Sequence, residues 1–175
     1  MKKILFISVL FTSFLFSSCG DDLKDLLDIS IDTTIVENID VNVVSGTNSL
    51  DQTVIFSLLE NTNTNEYIDK LKTLKIKKMT YKIIDFTGDS SGTITANLKA
   101  DETTLHSISD VTVKSAFDNG TVFEVTNEAA LINAATTLLD SKIITLKTSG
   151  QTVSTSNMDF KIQVIIELEV VANPL

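Results

Sequence analysis

The most regular pattern of apolar and polar positions lies near the end of the chain. Met158, Phe160, Ile162, Val164, Ile166, Leu168 and Val170 occupy alternate positions, and between and after them stand Asp159, Lys161, Gln163, Ile165, Glu167, Glu169 and Val171. A period of two sends alternate side chains to opposite faces of a strand, so this stretch predicts a long strand, central to a sheet, with its even face in the core. Neither Gly nor Pro interrupts it before Pro174. A second alternation places Ile29, Ile31, Thr33, Ile35, Glu37, Ile39, Val41 and Val43 on one face. At roughly 3.3 Å per residue, this stretch would reach about 50 Å, beyond a usual strand, and Glu37 falls on the inward face. A bend or bulge at Glu37-Asn38, dividing it into two strands, is therefore expected.

Between these stretches the pattern changes period several times. Gly46 to Ser49 reads as a turn, and Thr53 to Leu59 as an apolar strand covered on both faces. Tyr67, Leu71 and Leu74 recur at helical spacing and predict a helix from about Asn65 to Leu74. Met79, Tyr81 and Ile83, then Ile94, Ala96 and Leu98, flank the turn residues Gly88, Asp89, Ser91 and Gly92, so residues 78–98 read as a hairpin. Asp118-Asn119-Gly120, between Val111-Val113 and Val122-Val125, is the clearest hairpin signal, because Asn-Gly tolerates the positive φ of a tight turn. Asn127 suits a helix cap ahead of the stripe Leu131, Ala134, Ala135 and Leu138, with the helix ending near Asp140. Ile143 to Leu146 predicts a strand and Ser149-Gly150-Gln151 its turn.

About eight strands and two short connecting helices make this a mainly β chain, a two-sheet β-sandwich of Ig-like or jelly-roll-like form. The alternative is α+β with one antiparallel sheet.

The N-terminus follows different rules. Lys2 and Lys3 precede Ile4 to Phe16, in which ten of thirteen residues are apolar, and Ser17-Ser18 then lead to Cys19, the chain's one cysteine. A bilayer-spanning helix needs roughly 20 apolar residues, so the run has the layout of a signal peptide rather than a span. Leu15-Phe16-Ser17-Ser18-Cys19 resembles the lipobox of bacterial lipoproteins. It departs from the common pattern in having Phe16 where Leu is preferred three residues before the cysteine. The resemblance implies cleavage before Cys19, a lipid such as palmitate on the new N-terminus, and a membrane held as partner through that lipid; an ordinary secretory signal is the rival. The resulting division is a cleaved signal at 1–18, the lipidated Cys19 with an acidic tether at 19–28, and one β-rich domain at 29–175. Gly20-Asp21-Asp22-Leu23-Lys24-Asp25 is similar to signals that send some lipoproteins to the outer face of the outer membrane, and equally reads as a solvated linker. An outer-membrane lipoprotein of the cell envelope, surface-exposed if that address is read, is the expectation.

Composition narrows the function. With Cys19 committed to lipid, no thiol remains for a disulfide. All 14 basic residues are lysine, and removing Lys2 and Lys3 takes the net charge from −9 to −11, which disfavours nucleic acid as a partner. His106 is the one histidine, so zinc and Cys-His chemistry lack partners. It sits in a loop-like stretch and reads as a packed or surface residue. Asn61 to Glu66 offers oxygens but a single carboxylate, short of a calcium loop. Asp85, Asp89, Asp101 and Glu102 flank hairpin ends and read as solubilising acids. No catalytic residue, metal ligand or cofactor is assigned. Lys70, Lys72, Lys75, Lys77, Lys78 and Lys82 place six lysines within thirteen residues of an acidic chain. They read either as a solvated face paired with acids or as a contact surface for an anionic envelope component or an acidic protein partner. The expected function is a lipid-anchored, non-catalytic binding or structural module; the alternative is an envelope hydrolase with a Ser/His/Asp-type site.

Overall fold

The computed structural model describes residues 28–173. Cys19 and the acidic stretch before Asp28 lie outside them. Eight strands form: β1 Ile29–Val43, β2 Gly46–Ser57, β3 Leu71–Gly88, β4 Thr93–Ala100, β5 Thr103–Thr112, β6 Val122–Glu124, β7 Ile143–Ser154 and β8 Met158–Ala172. Helical segments are α1 Thr62–Asn65, a 3-10 turn Ile68–Lys70, α2 Val113–Asp118 and α3 Glu128–Ser141. The strands make two antiparallel sheets, ordered β1-β8-β3-β6 and β2-β7-β4-β5. First strand pairs with last, second with seventh, third with sixth and fourth with fifth, as though one long hairpin had been rolled over itself. That nested order is the jelly-roll arrangement.

The core lies between the sheets. β8 supplies its even face, buried from Met158 through Ala172, against Ile35, Ile39, Val41 and Val43 of β1 and Ile76, Met79, Tyr81 and Ile83 of β3. The second sheet contributes Phe56, Ile94, Leu98, Ile144 and Leu146. Full burial of each aliphatic side chain is worth roughly 1.5–3 kcal/mol, so the alternation that marks the strands also drives the stacking of the sheets.

Several local expectations fail for one reason: partners are chosen by the rolled topology and not by nearness in sequence. The expected break at Glu37-Asn38 is absent, because β1 pairs with β8 without a register shift from Ile29↔Ala172 to Val43↔Met158. Glu37 is only half-buried on the inward face. Its carboxyl is raised above the usual range by burial and then by Glu60, its neighbour in an open recess of about 230 Å³. Gly46 to Ser49 is strand and not turn, and β2 is an edge strand with Ile55 exposed, so it is not covered on both faces. The helix expected at 65–74 is replaced by the short α1, the 3-10 turn and the start of β3, whose pairing with β8 recruits Leu71 and Leu74.

Residues 78–98 are not a hairpin, because β3 and β4 belong to opposite sheets. The chain changes sheet at Gly88, where φ is +101° and a Cβ would lie 2.7 Å from the Cα of Met158. Asn119-Gly120 is no hairpin turn either. It closes α2, with Gly120 N–H donating to the Phe117 carbonyl and Thr121 N–H to that of Ala116, and β5 and β6 flank it in different sheets. Gly150 sits inside β7 rather than in a turn: it opposes Leu50 on one side and Ala96 on the other, and a Cβ there would lie 2.7 Å from the Ala96 Cα. The turn that joins two paired neighbours is Asp101-Glu102, between β4 and β5.

The helix after Thr126 is as expected. The Asn127 side-chain oxygen accepts from Ala130 N–H at 3.2 Å, and Ala130, Ala134, Ala135 and Leu138 are buried. α3 packs against β3, β7 and β5.

Candidate functional site

β3 is an inner strand for only part of its length. It pairs with β8 from Leu71 to Gly88, but β6 covers its other side only at Thr80–Lys82, and Val125 N–H adds one bond to the Met79 carbonyl. From Leu74 to Lys78 that side has no strand beside it among the described residues, and α3 lies across from Leu74 to Lys77. Strand and helix leave a groove of about 490 Å³ between them. Its apolar lining comes from Leu74 and Ile76 of β3 and from Leu131, Ile132 and Ala135 of α3; Lys75, Lys77, Glu128 and Thr136 complete it. Ile132 is 64% exposed, an aliphatic side chain left in water at the mouth of the groove.

Five of the six clustered lysines stand on β3, and Lys70 on the 3-10 turn before it. The strand does not present them as one uncompensated patch. Lys72 pairs with Asp28 at 2.8 Å and Lys77 with Asp32 at 3.2 Å. Register sets Lys75 opposite Glu169 and Lys78 opposite Glu167, while Lys82 faces Gln163 on β8 and Val122 on β6. A register shift between Ile76 and Lys78 makes Lys77 the extra residue of a bulge, which turns two consecutive lysines away from the core. Lys75 and Lys78 are exposed and, among the described residues, neither forms an ion pair. The cluster thus divides: Lys72 and Lys77 tie β3 to Asp28, just before β1, and to Asp32 within it, while Lys75 lines the groove and Lys78 follows it along β3.

His106 belongs to β5 and not to a loop. Its Nδ1 lies 2.7 Å from the Tyr81 hydroxyl, a bond that crosses the sandwich from one sheet to the other. Tyr81 also stacks on Phe123 with ring centroids 5.1 Å apart, and burial raises its phenol above the ordinary value. No serine or aspartate hydrogen-bonds His106 among the described residues. The four acids at the hairpin ends do not converge. Asp85 pairs with Lys161 at 3.1 Å, Asp101 and Glu102 occupy the β4–β5 turn, and Asp89 is buried at the opposite end of β4. No group of three or more acids, histidines or cysteines that could hold a metal occurs among the described residues.

The groove itself was not legible as such. Leu131 and Ala135 belong to the recognised stripe of α3, but Leu74 and Ile76 fall where a helix was expected or at its margin. The signal that was present is Ile132, apolar and off that stripe, opposite a strand rich in lysine.

No protein-family model matches the chain, and no curated protein sequence matches it. Among solved structures it is similar to one described as the crystal structure of a decameric BFDV capsid protein, at 6% identity and a TM-score of 0.43, covering 81% of this chain and 99% of that one. At that identity and score the likeness bears on neither function nor assembly.

Proposed function

We propose that this protein is a lipid-anchored module of the cell envelope, tethered through Cys19 to the outer membrane, that binds a partner and catalyses no reaction. The observation that carries the binding half is the lysine-bordered apolar groove between β3 and α3: an open recess beside the sheet, with the exposed Ile132 in its lining. The anchoring half is supported by the lipobox resemblance at Leu15 to Cys19. Its ligand is an anionic envelope component or an acidic protein, met by Lys75 and Lys78.

Neutral replacements test this more cleanly than charge reversal, since Lys75 and Lys78 face Glu169 and Glu167. Lys75→Gln with Lys78→Gln should weaken capture of the partner from an envelope extract and leave the melting temperature nearly unchanged, because both side chains are exposed and form no ion pair among the described residues. Raising salt should weaken the native interaction, since exposed charges are screened over about 8 Å at physiological ionic strength. Capture that is indifferent to both would reduce the lysines to a solvated face. Turnover of a substrate by a pure, metal-free sample, abolished by His106→Ala, would put the hydrolase reading in its place.

A further inference from the structure

Resting on the binding reading, we infer that the groove recognises its partner by strand addition: an extended segment with alternating acidic and aliphatic side chains pairs with the open edge of β3, between that edge and α3.

The backbone fixes the form of the ligand. A strand edge presents unpaired N–H and C=O groups that an extended chain satisfies, and natural proteins cover or interrupt such edges when they are not used. Here β6 covers Thr80–Lys82 and then ends, while the edge before it, through Leu74 and Ile76, faces the groove. An added strand would continue the line of β6 at about 4.8 Å from β3. The bulge at Lys77 divides its pairing into a part before and a part after that residue.

The side chains fix its composition. Alternate residues of a strand point to opposite faces. On the groove side they would meet Leu131, Ile132 and Ala135, which calls for aliphatics. On the outer face they would stand beside Lys75 and Lys78, which calls for acids. Glu128, the acid of the lining, disfavours a ligand carboxylate at its end of the groove.

The test uses the full chain in detergent and, as probe, a capped peptide of alternating glutamate and valine. Amide exchange and resonance shifts should report protection of β3 amides between Leu74 and Lys78. Thr136→Trp fills the groove from an exposed position, and should weaken the peptide by about tenfold or more, as should N-methylation of alternate peptide residues; Ile132→Trp is a second groove-filling variant, and melting temperatures check that both fold. A lysine–valine peptide should not bind. Equal binding of the N-methylated peptide, or equal binding by both tryptophan variants, overturns strand addition; if the Lys75 and Lys78 variants still weaken capture, the binding reading stands and only this mode falls. Binding that appears only after removal of residues 20–27 would make the chain's own acidic stretch the occupant. A concentration-dependent dimer abolished by Thr136→Trp would make the occupant a second copy. Either result overturns the proposal.

Discussion

Asp89 shows how a single polar side chain holds the rolled strands in place. Its Oδ1 accepts from the Ser91 N–H at 2.8 Å and the Ser91 hydroxyl at 2.7 Å. Its Oδ2 accepts from the Thr155 hydroxyl at 2.8 Å and from the N–H groups of Thr155 and Ser156. One carboxylate thereby joins the β3–β4 corner to the β7–β8 turn, two connections more than sixty residues apart in sequence. The Ser91 hydroxyl first, then the Ser91 N–H and the Thr155 donors, hold the carboxyl well below its ordinary value. A carboxyl lowered on folding stabilises the fold at pH values above its unfolded pKa of about 3.9, and that contribution disappears as pH falls through the folded value. Asp89→Asn should therefore melt at a lower temperature than the native protein at neutral pH, and the gap should narrow on acidification below about pH 4. Thermal melts across that range would show it; a gap independent of pH would mean that packing, and not charge, carries the role of Asp89.

At the scale of elements, what could be read from the sequence was whatever depends on local period. The alternation of β8 and of β1, and the cap and stripe of α3, state which residues face inward, and burial follows them. What could not be read was which strand pairs with which. In this nested order, β4 and β5 are the one pair of sequence neighbours that lie side by side among the described residues, so Gly-rich and Asn-Gly signals that usually close hairpins here turn corners between sheets or end a helix. Gly150 is the clearest instance. It looked like a turn and is instead the point where β7 lets β4 approach, with the Ala96 Cα 2.7 Å from where a Cβ would stand. Gly150→Ala should cost about 1–3 kcal/mol, the usual range for forcing an added methyl into close packing. Denaturant unfolding should show an unchanged slope with a lower midpoint, whereas an unaltered midpoint would mean that β4 and β7 shift apart freely. For the candidate site, the lysines were legible by composition, but the groove was not, because it is made by a strand edge and a helix some sixty residues later.

For the whole molecule, the pairing of β1 with β8 puts the start of the domain, Ile29, beside Ala172, and Ala172 also faces Leu71 at the start of β3. The chain therefore leaves for its proposed anchor at the same end of the sheet from which β3 sets out toward the groove. Asp28, the last described residue on that side, is already tied to Lys72. Nine residues from Cys19 to Asp28 span at most about 30 Å when extended, so an anchored domain would hold the groove proposed for binding within a few tens of ångströms of the lipid surface. Everything in this arrangement depends on the lipid. Its most direct test is metabolic labelling of cells with a fatty-acid analogue, comparing the native chain with Cys19→Ala. Label on the native protein and none on the variant is the predicted result; label retained by the variant, or absent from both, would contradict the anchor.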